Sequence, residues 1–301
     1  MRKIPRYLAM LLAALCTATL CACPPAWAAE RPEPKHYLVL GTDYYGALTK
    51  ATAIRTDTVL MVTLDPGGNR IIFTSILRDC KVTTPGGGEN KLNSVYANYG
   101  FSGVKSTIER HLGVRIEGSV TIDFETVKQL IDAFGGVDIE ISLVESRWIK
   151  SILLGDDPNM PDGPGKTHMT GRIALAYMRD RRSGGSDFSR TQHQRNVLTQ
   201  LMRKASSLSL SEMLHIYNTL RGNIGTDLDS MQLLNALQTA YKLMGAQVVE
   251  HRVPADRTFA YGTLRGSSVL NVRWNHNREI LQELLYPAEP LLQPAQWGEW
   301  P

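Results

Sequence analysis

Arginine and aspartate residues recur at the ends of apolar segments of this sequence. They form the clusters Arg55-Thr-Asp57, Arg78-Asp79, Arg179-Asp-Arg181 and Asp187-x-x-Arg190-x-x-x-Gln194. Guanidinium groups make forked, permanently charged contacts with phosphate oxygens, and carboxylates hold divalent metals that bridge the same phosphates. Any one pair alone fits a structural ion pair, but exposed ion pairs contribute little stability and have no reason to recur at such positions. The set therefore predicts one convergent site for phosphate chemistry.

Two of the aspartates are candidate ligands for magnesium. Asp43 follows a predicted strand and Asp57 precedes one, and loops at a sheet edge commonly gather around a ligand. Two carboxylates, with phosphate oxygens and water, suit the octahedral preference of this ion. For Asp43, which lies in a Gly-Thr-Asp turn, ordinary turn chemistry is an equal alternative.

The arginines are candidate phosphate ligands. Arg78 ends an apolar strand, and Asp79 beside it either orients the guanidinium or acts as a base. Arg179 and Arg181 follow an apolar helix. Two residues apart in an extended segment, they would point the same way and clamp one phosphoryl group.

A predicted helix beginning at Asp187 carries two further candidates. Arg190 and Gln194 are four residues apart, so they share a face near the helix N-terminus, where anions are favoured. Lys91 follows the loop Pro85-Gly-Gly-Gly88 and could reach a pyrophosphate from there, although most loop lysines are simply solvated.

The N-terminus predicts an exported protein. Arg2, Lys3 and Arg6 precede an uncharged apolar run from Tyr7 to Cys23, which is typical of a signal peptide or a short membrane anchor. Cleavage near Ala26-Trp27-Ala28, acylation at Cys23 and retention all fit this pattern. An extracytoplasmic, membrane-associated location is therefore expected, or a secreted one if the leader is cleaved.

Net charge and cysteine content argue against two kinds of protein, a nucleic-acid-binding protein and a disulfide-stabilised one. The formal net charge of +4 includes three leader cations, so about 4 − 3 = +1 remains for the rest of the chain. That small charge argues against binding to nucleic acid. Of the four cysteines only Cys80 lies beyond the leader, so the folded part has no internal disulfide and is stabilised by its core.

Helical and strand patterns alternate along the chain. Predicted strands cover 37–40, 59–64, 71–77, 120–124 and 137–141, and predicted helices cover 104–112, 127–134, 170–177, 187–201, 210–220, 231–244 and 278–285. This order predicts a single layered α/β/α domain with a mixed central sheet and helices on both faces. The predicted organisation is a leader at 1–29, a tether at 30–35, the domain at 36–286 and a structureless tail at 287–301.

The motifs, taken in order, resemble the LytR-CpsA-Psr family. The resemblance covers residues 36–205 and rests on Leu40-Gly-Thr-Asp43, Arg55-Thr-Asp-Thr58, Ser75-Ile-Leu-Arg-Asp79, Lys91-Leu-Asn93, Phe134-Gly-Gly-Val-Asp138, Ala174-Leu-Ala-Tyr-Met-Arg-Asp-Arg181 and Asp187-Phe-Ser-Arg190. The sequence departs from the family pattern at Leu77, Cys80 and His193, where the family usually has proline, threonine and a second arginine.

The resemblance implies roles for these residues. Asp43 and Asp57 match metal-associated aspartates. Matches to pyrophosphate-binding positions are Arg55, Arg78, Arg179 and Arg181, and matches to further polar site positions are Lys91, Arg190 and Gln194. The family also holds its lipid in an apolar tunnel between sheet and helices, which periodicity in one sequence does not distinguish from ordinary core.

The predicted activity is magnesium-dependent transfer of a glycan phosphate from a polyprenyl-pyrophosphate carrier onto peptidoglycan. The predicted catalytic set is Asp57, Arg78, Asp79, Arg179 and Arg181, with Asp57 or Asp79 assisting proton removal. Predicted partners are the lipid-linked glycan, the peptidoglycan acceptor and the membrane surface. Two alternatives stay open, a pyrophosphatase acting on the same lipid and a non-enzymatic polyprenyl-lipid-binding regulator of the envelope.

Overall fold

The computed structural model describes residues 31–42, 56–153, 158–180, 183 and 187–287. The described residues from Pro34 onward belong to one compact unit. The predicted leader, the tail from residue 288, and the candidate residues Asp43, Arg55 and Arg181 lie outside the described residues.

Twelve strands and eight α-helices are formed by the described residues. The strands are β1 (Lys35–Thr42), β2 (Thr56–Asp65), β3 (Arg70–Ile76), β4 (Lys81–Thr83), β5 (Glu89–Lys91), β6 (Ile116–Asp123), β7 (Val137–Ile141), β8 (Gly165–Met169), β9 (Gly225–Thr226), β10 (Gln247–Val253), β11 (Phe259–Leu264) and β12 (Ser267–Val272). The helices are α1 (Val95–Leu112), α2 (Phe124–Ala133), α3 (Leu143–Ile152), α4 (Gly171–Met178), α5 (Asp187–Ala205), α6 (Leu210–Leu220), α7 (Ser230–Lys242) and α8 (Trp274–Leu285).

The central sheet has six strands in the order β10-β3-β2-β1-β6-β9. It is mixed, because β1 pairs in parallel with β6 and β10 in parallel with β3, whereas β2 is antiparallel to both its neighbours. All seven residues of β3 are buried, as expected for a strand with both faces covered.

Helices cover both faces of this sheet. One face packs with α1 and α8 through a core that includes Leu38, Ile108 and Leu281. The opposite face packs against α5 and α7 through Phe73 and Leu243, with Leu198 partly buried beside them. The predicted α/β/α architecture is thereby confirmed.

A second group of elements lies beside the sheet. Helices α2, α3, α4 and α5 surround the antiparallel strand pair β7–β8 and share a core that includes Ile131, Ile149 and Tyr177. Asp123 begins α2, because its carboxylate accepts a hydrogen bond from the backbone N–H of Thr126 at 2.8 Å. Gly171 begins α4 so close to α2 that a Cβ there would stand 2.2 Å from the carbonyl oxygen of Lys128, which leaves no room for a side chain.

Some predicted boundaries are wrong. Phe124 belongs to α2 and not to the preceding strand, because the Asp123 cap turns the chain there. Residues 137–141 do form a strand, but it pairs with β8 in a separate sheet. Lys35 is the first residue of β1, so the tether is shorter than predicted. Within the described residues, no helix has both the length and the apolar content needed to cross a membrane.

Candidate functional site

The register of β2 against β3 brings Asp57 and Arg78 together. Val59 pairs with Ile76 in this antiparallel ladder, so continuing the ladder places residue 57 opposite residue 78. The guanidinium of Arg78 donates through Nη1 to Oδ1 of Asp57. The two predicted site residues therefore form a partly exposed ion pair at one end of the sheet.

Asp79 and Lys91 extend this pair into a chain of four alternating charges. Nζ of Lys91 lies 2.9 Å from Oδ1 of Asp79, and Oδ2 of Asp79 lies 3.8 Å from Nε of Arg78. Lys91 was expected to act from a loop; it instead ends β5, whose pairing with β4 fixes its position. We call Asp57, Arg78, Asp79 and Lys91 the ionic chain.

Arg190 joins helix α5 to the start of β2. Its Nη2 donates to the backbone carbonyl oxygen of Asp57 at 2.9 Å, and the residue is only 3% exposed. A buried guanidinium needs hydrogen-bonding partners because an unpaired charge is costly there. The bond to a backbone atom anchors Arg190 whatever side chain occupies position 57.

Arg179 reaches the same end of the sheet from α4. Its guanidinium carbon lies 4.9 Å from the ring centroid of Phe124, a cation–π distance. Phe124 directly follows Asp123, whose register partner on β1 is Thr42. Arg179 was expected in an extended segment. Its φ of −95° and ψ of −3° are instead helical because it is the C-cap of α4.

A cavity of about 660 Å³ lies between the sheet and helices α2 to α5. The side chains of Val39, Leu60 and Ile122 from the sheet form one wall. The apolar residues on the helical wall are Phe124, Val127, Leu130, Trp148, Ile152, Leu153, Leu175, Ala176, Met178, Val197, Leu198 and Leu201. Nε1 of Trp148 donates to the carbonyl oxygen of Ala176 at 3.1 Å and so ties α3 to α4 within this wall.

The polar lining of the cavity is mostly cationic. Asp57, Arg179, Arg190 and Gln194 lie at the end that carries the ionic chain, and Lys128 and Arg172 also line the cavity. Among the described lining residues, four are basic and only Asp57 is acidic. The cavity thus combines a long apolar wall with an end that favours a phosphate group.

Sequence reasoning did not identify Arg172 or the apolar lining. Arg172, Leu175, Ala176 and Arg179 recur at helical spacing along α4 and all line the cavity. These four residues form a stripe along one face of α4 that the sequence already shows. The same spacing would also result from ordinary packing between helices. Only the tertiary arrangement shows that the stripe faces a cavity.

His193 and Arg195 lie on α5 beside the site but face other partners. Nε2 of His193 is 2.8 Å from a carboxylate oxygen of Glu145 on α3, and its ring lies 4.3 Å from that of Tyr177. Arg195 binds Glu250 on β10 and donates to Oγ of Ser75 at 3.0 Å. Burial lowers the pKa of Arg195, although the hydrogen bond and charge of Glu250 act against this shift.

The predicted site residues that the structure describes fall into two connected groups. Asp57, Arg179, Arg190 and Gln194 line the cavity. Arg78, Asp79 and Lys91 join that group through the ion pair with Asp57. The catalytic and ligand roles of these residues stay predictions.

The described residues contain no preformed cluster of metal ligands. No group of three or more His, Cys, Asp or Glu side chains in these ranges is close enough to hold a metal ion. Asp57 nevertheless faces the phosphate-favouring end of the cavity. Magnesium commonly takes one or two carboxylates and completes its coordination with water and substrate phosphate oxygens. A single carboxylate at this position fits that mode of binding.

The α/β domain thus has an apolar cavity with a cationic end, which suits a ligand with an apolar chain and a phosphate group. A profile of the LytR_cpsA_psr family matches residues 24–285. The chain belongs to this family, which confirms the family predicted from the motifs.

Two relatives are transferases by name. The chain is 30% identical over 230 residues to the polyisoprenyl-teichoic acid–peptidoglycan teichoic acid transferase TagU of Bacillus mycoides, covering 75% of this chain and 71% of that protein. It is also 30% identical over 183 residues to the corresponding transferase TagV of Bacillus subtilis, covering 60% of this chain and 46% of that protein. The predicted function matches the activity in these names, and the chain spans about half the length of TagV.

A solved structure shares the fold. The crystal structure of Bacillus subtilis TagV superimposes with a TM-score of 0.64 at 25% identity, covering 84% of this chain and 97% of that chain. The mixed sheet with helices on both faces is therefore the fold of a known relative.

Proposed function

We propose that this protein transfers a glycan phosphate from a polyprenyl-pyrophosphate carrier onto peptidoglycan. The observation that carries the proposal is the 660 Å³ cavity, apolar along most of its wall and lined at one end by Asp57, Arg179 and Arg190. A polyprenyl pyrophosphate has the matching division into a long apolar chain and a charged head. The names of the TagU and TagV relatives agree with this substrate class.

The reaction is a displacement at phosphorus. An acceptor hydroxyl oxygen attacks the glycan-linked phosphorus, a new P–O bond forms, and the bond to the bridging pyrophosphate oxygen breaks. Its electron pair leaves with polyprenyl phosphate. Arg179 and Arg190 neutralise the phosphate oxygens and hold them in place, which is the larger part of catalysis in such transfers.

Asp79 is our candidate for accepting the hydroxyl proton. Its backbone carbonyl oxygen accepts a hydrogen bond from the N–H of Leu270 on β12 at 2.9 Å. Its carboxylate lies between Arg78 and Lys91 and is not part of the cavity lining. Asp57 faces the cavity and is the better placed carboxylate for the substrate's own phosphates. The assignment gives different tasks to the two carboxylates that the sequence left as alternatives.

Magnesium dependence is part of the proposal. Asp57 would hold the ion together with phosphate oxygens and water, and Asp43 is a second candidate from the sequence. When bound, magnesium would neutralise charge on the pyrophosphate. Asp57 would also keep Arg78 at the phosphate end through their ion pair.

We further propose that the protein works at the outer face of its membrane. The apolar leader with Arg2, Lys3 and Arg6 and the inferred lipid substrate support this location. A truncated protein beginning at Glu30 should keep its activity on a short-chain polyprenyl substrate in detergent. It should be slower than the full chain on substrate in liposomes, because attachment raises the local concentration. Equal rates on liposomes would assign the leader to export alone.

The activity is tested with purified protein, a polyprenyl-pyrophosphate-linked glycan, magnesium and soluble peptidoglycan chains. Transfer predicts that polyprenyl phosphate and a glycan–peptidoglycan adduct form together. Release of free glycan phosphate, with or without acceptor, would show a pyrophosphatase instead. Tight lipid binding without turnover under all these conditions would identify a lipid-binding module.

A further inference from the structure

Three aromatic rings form a row that begins beside the phosphate end of the cavity. The ring centroids of Phe188 and Phe259 are 5.7 Å apart and tilted by 32°. Those of Phe259 and Tyr261 are also 5.7 Å apart, with the rings at 82°. Tyr261 ends the row and is 71% exposed, an unusual exposure for a large ring. We call Phe188, Phe259 and Tyr261 the aromatic row.

Along α5, Arg190 lies between Phe188 of the aromatic row and the apolar residues that line the cavity. Phe188 precedes Arg190, whereas the cavity-lining residues Val197 and Leu201 follow it. The guanidinium carbon of Arg252, on the edge strand β10, lies 4.5 Å from the ring centroid of Phe188. The cavity, in contrast, is lined by residues of β1, β2 and β6. A ligand spanning both would pass the phosphate end between them.

This placement matters because displacement at phosphorus is in line. The attacking and leaving oxygens lie on opposite sides of the transferred phosphorus. The leaving polyprenyl phosphate belongs to the cavity, so the attacking hydroxyl arrives from the other side. Phe188 lies beyond Arg190 from the apolar lining, and the hairpin that carries the other two rings contacts the ionic chain through the bond from Leu270 to Asp79.

We propose that the aromatic row binds the saccharide chain of the acceptor. The proposal rests on the transferase function proposed above and names the residues that hold its second substrate. The C–H bonds on the flat faces of a pyranose pack against aromatic rings, whose faces carry negative charge density. The centroid distances of 5.7 Å are contact distances between neighbouring rings, so the three rings form one continuous aromatic surface.

Polar groups flank the rings, as recognition of sugar hydroxyls requires. Nη2 of Arg252 pairs with the carboxylate of Asp256, which is 89% exposed in its side chain. The phenol of Tyr261 supplies a further donor and acceptor. Phe188 and Phe259 are partly buried against the core, whereas Tyr261 is mostly exposed, so a sugar would meet the row first at Tyr261.

The proposal is tested with Tyr261→Ala and with Phe259→Leu, which removes a ring face but keeps apolar volume next to the core. Each should raise KM for soluble peptidoglycan chains about tenfold, the loss of one favourable ring contact, with kcat and donor KM unchanged. Tyr241→Ala is the matched control, a tyrosine on α7 that is 38% exposed. It should leave both KM values unchanged.

A binding measurement separates this proposal from the proposed function. Calorimetric titration of the protein with uncross-linked peptidoglycan chains, without lipid donor, should show about tenfold weaker binding for Tyr261→Ala. If transfer were never observed but this weakening were, the function would be wrong and the saccharide site would stand. Unchanged acceptor binding in both variants would overturn the site. A rise in donor KM alone would also overturn it, by assigning the row to the glycan of the donor.

Discussion

Asp57 and Arg78 lie opposite each other because the antiparallel register of β2 and β3 continues past the end of β3. Asp57 is the second residue of β2, and Arg78 follows the last residue of β3 by two positions. The carboxylate faces the cavity while the guanidinium continues towards Asp79 and Lys91. The pair therefore connects the cavity with the other two members of the ionic chain, Asp79 and Lys91.

Replacement of Asp57 by asparagine should abolish most turnover and leave the fold intact. The change keeps the side-chain volume but removes the charge that binds Arg78 and the proposed metal. We expect a loss of about a hundredfold in kcat, measured with the lipid-linked glycan and acceptor. The cost in unfolding free energy should be at most about 1 kcal/mol because the ion pair is partly exposed.

Glu89→Gln is the matched control, because Glu89 also pairs with a cation, Lys81, but lies away from the cavity. It should keep wild-type turnover. Wild-type activity in Asp57→Asn would contradict the assigned role.

Arg179 and Arg190 should act on the same phosphate group. Lysine at either position keeps the charge but loses the planar fork, so each single variant should lose about tenfold in kcat/KM. If both contact one pyrophosphate, the double variant should lose less than the product of the two single losses. A strictly multiplicative loss would indicate two independent structural arginines.

A bulky residue in the apolar wall should impair binding of long lipids. Leu175 lines the cavity and is 8% exposed. Leu175→Trp should raise KM for a long-chain polyprenyl substrate several-fold more than for a short-chain analogue, at a stability cost of about 1–3 kcal/mol.

Leu234→Trp is the control for this experiment, since Leu234 lies on α7 and is 36% exposed. It should change neither KM value. Equal effects of Leu175→Trp on both substrates would argue that lipid does not enter the cavity.

A buried histidine, His36, and a partly buried one, His251, should make the fold sensitive to mild acid. Burial lowers the pKa of His36 to about 4, against the opposing charges of Glu117 and Asp65. Burial and the nearby Arg252 and Arg195 lower the pKa of His251 to about 4 as well. Unfolded histidine titrates near 6.5, so the unfolded chain binds more protons between these values. The unfolding free energy should therefore fall as the pH is lowered from about 6.5 to about 4.

Chemical denaturation at several pH values measures this effect. Each histidine should account for about 2–3 kcal/mol over the full interval. His251→Gln should flatten the pH profile in this range, and an unchanged profile would show that His251 does not titrate there.

Much of the architecture could be predicted from local pattern. Apolar runs such as 71–77 identified the buried strands, and helical spacing with a following glycine identified helices such as 104–112. The ends of helices and strands were harder to predict from the sequence. At Phe124, the aspartate cap before it outweighs the strand preference of an aromatic residue.

The candidate site was predicted by residue type but not by arrangement. Charge next to apolar segments selected Asp57, Arg78 and Arg190. Strand ends position the first two, and the first turn of α5 positions Arg190. The pairing of Lys91 with Asp79 and the role of Phe124 beneath Arg179 depend on contacts distant in sequence. The cavity wall has the same periodicity as core, so only the tertiary structure separates the two.

The residues of α5 that line the cavity change from polar to apolar along the helix axis. Arg190 and Gln194 line the cavity near its beginning, and Val197, Leu198 and Leu201 follow. From Arg190 to Leu201 the axis rises about 16 Å. A reversed lipid would bring its pyrophosphate against leucine and valine, where an unpaired charge costs several kcal/mol. If the proposed lipid occupies this cavity, α5 favours one direction of entry, with the hydrocarbon leading and the headgroup last, and the scissile bond would then stop at the depth of Arg190.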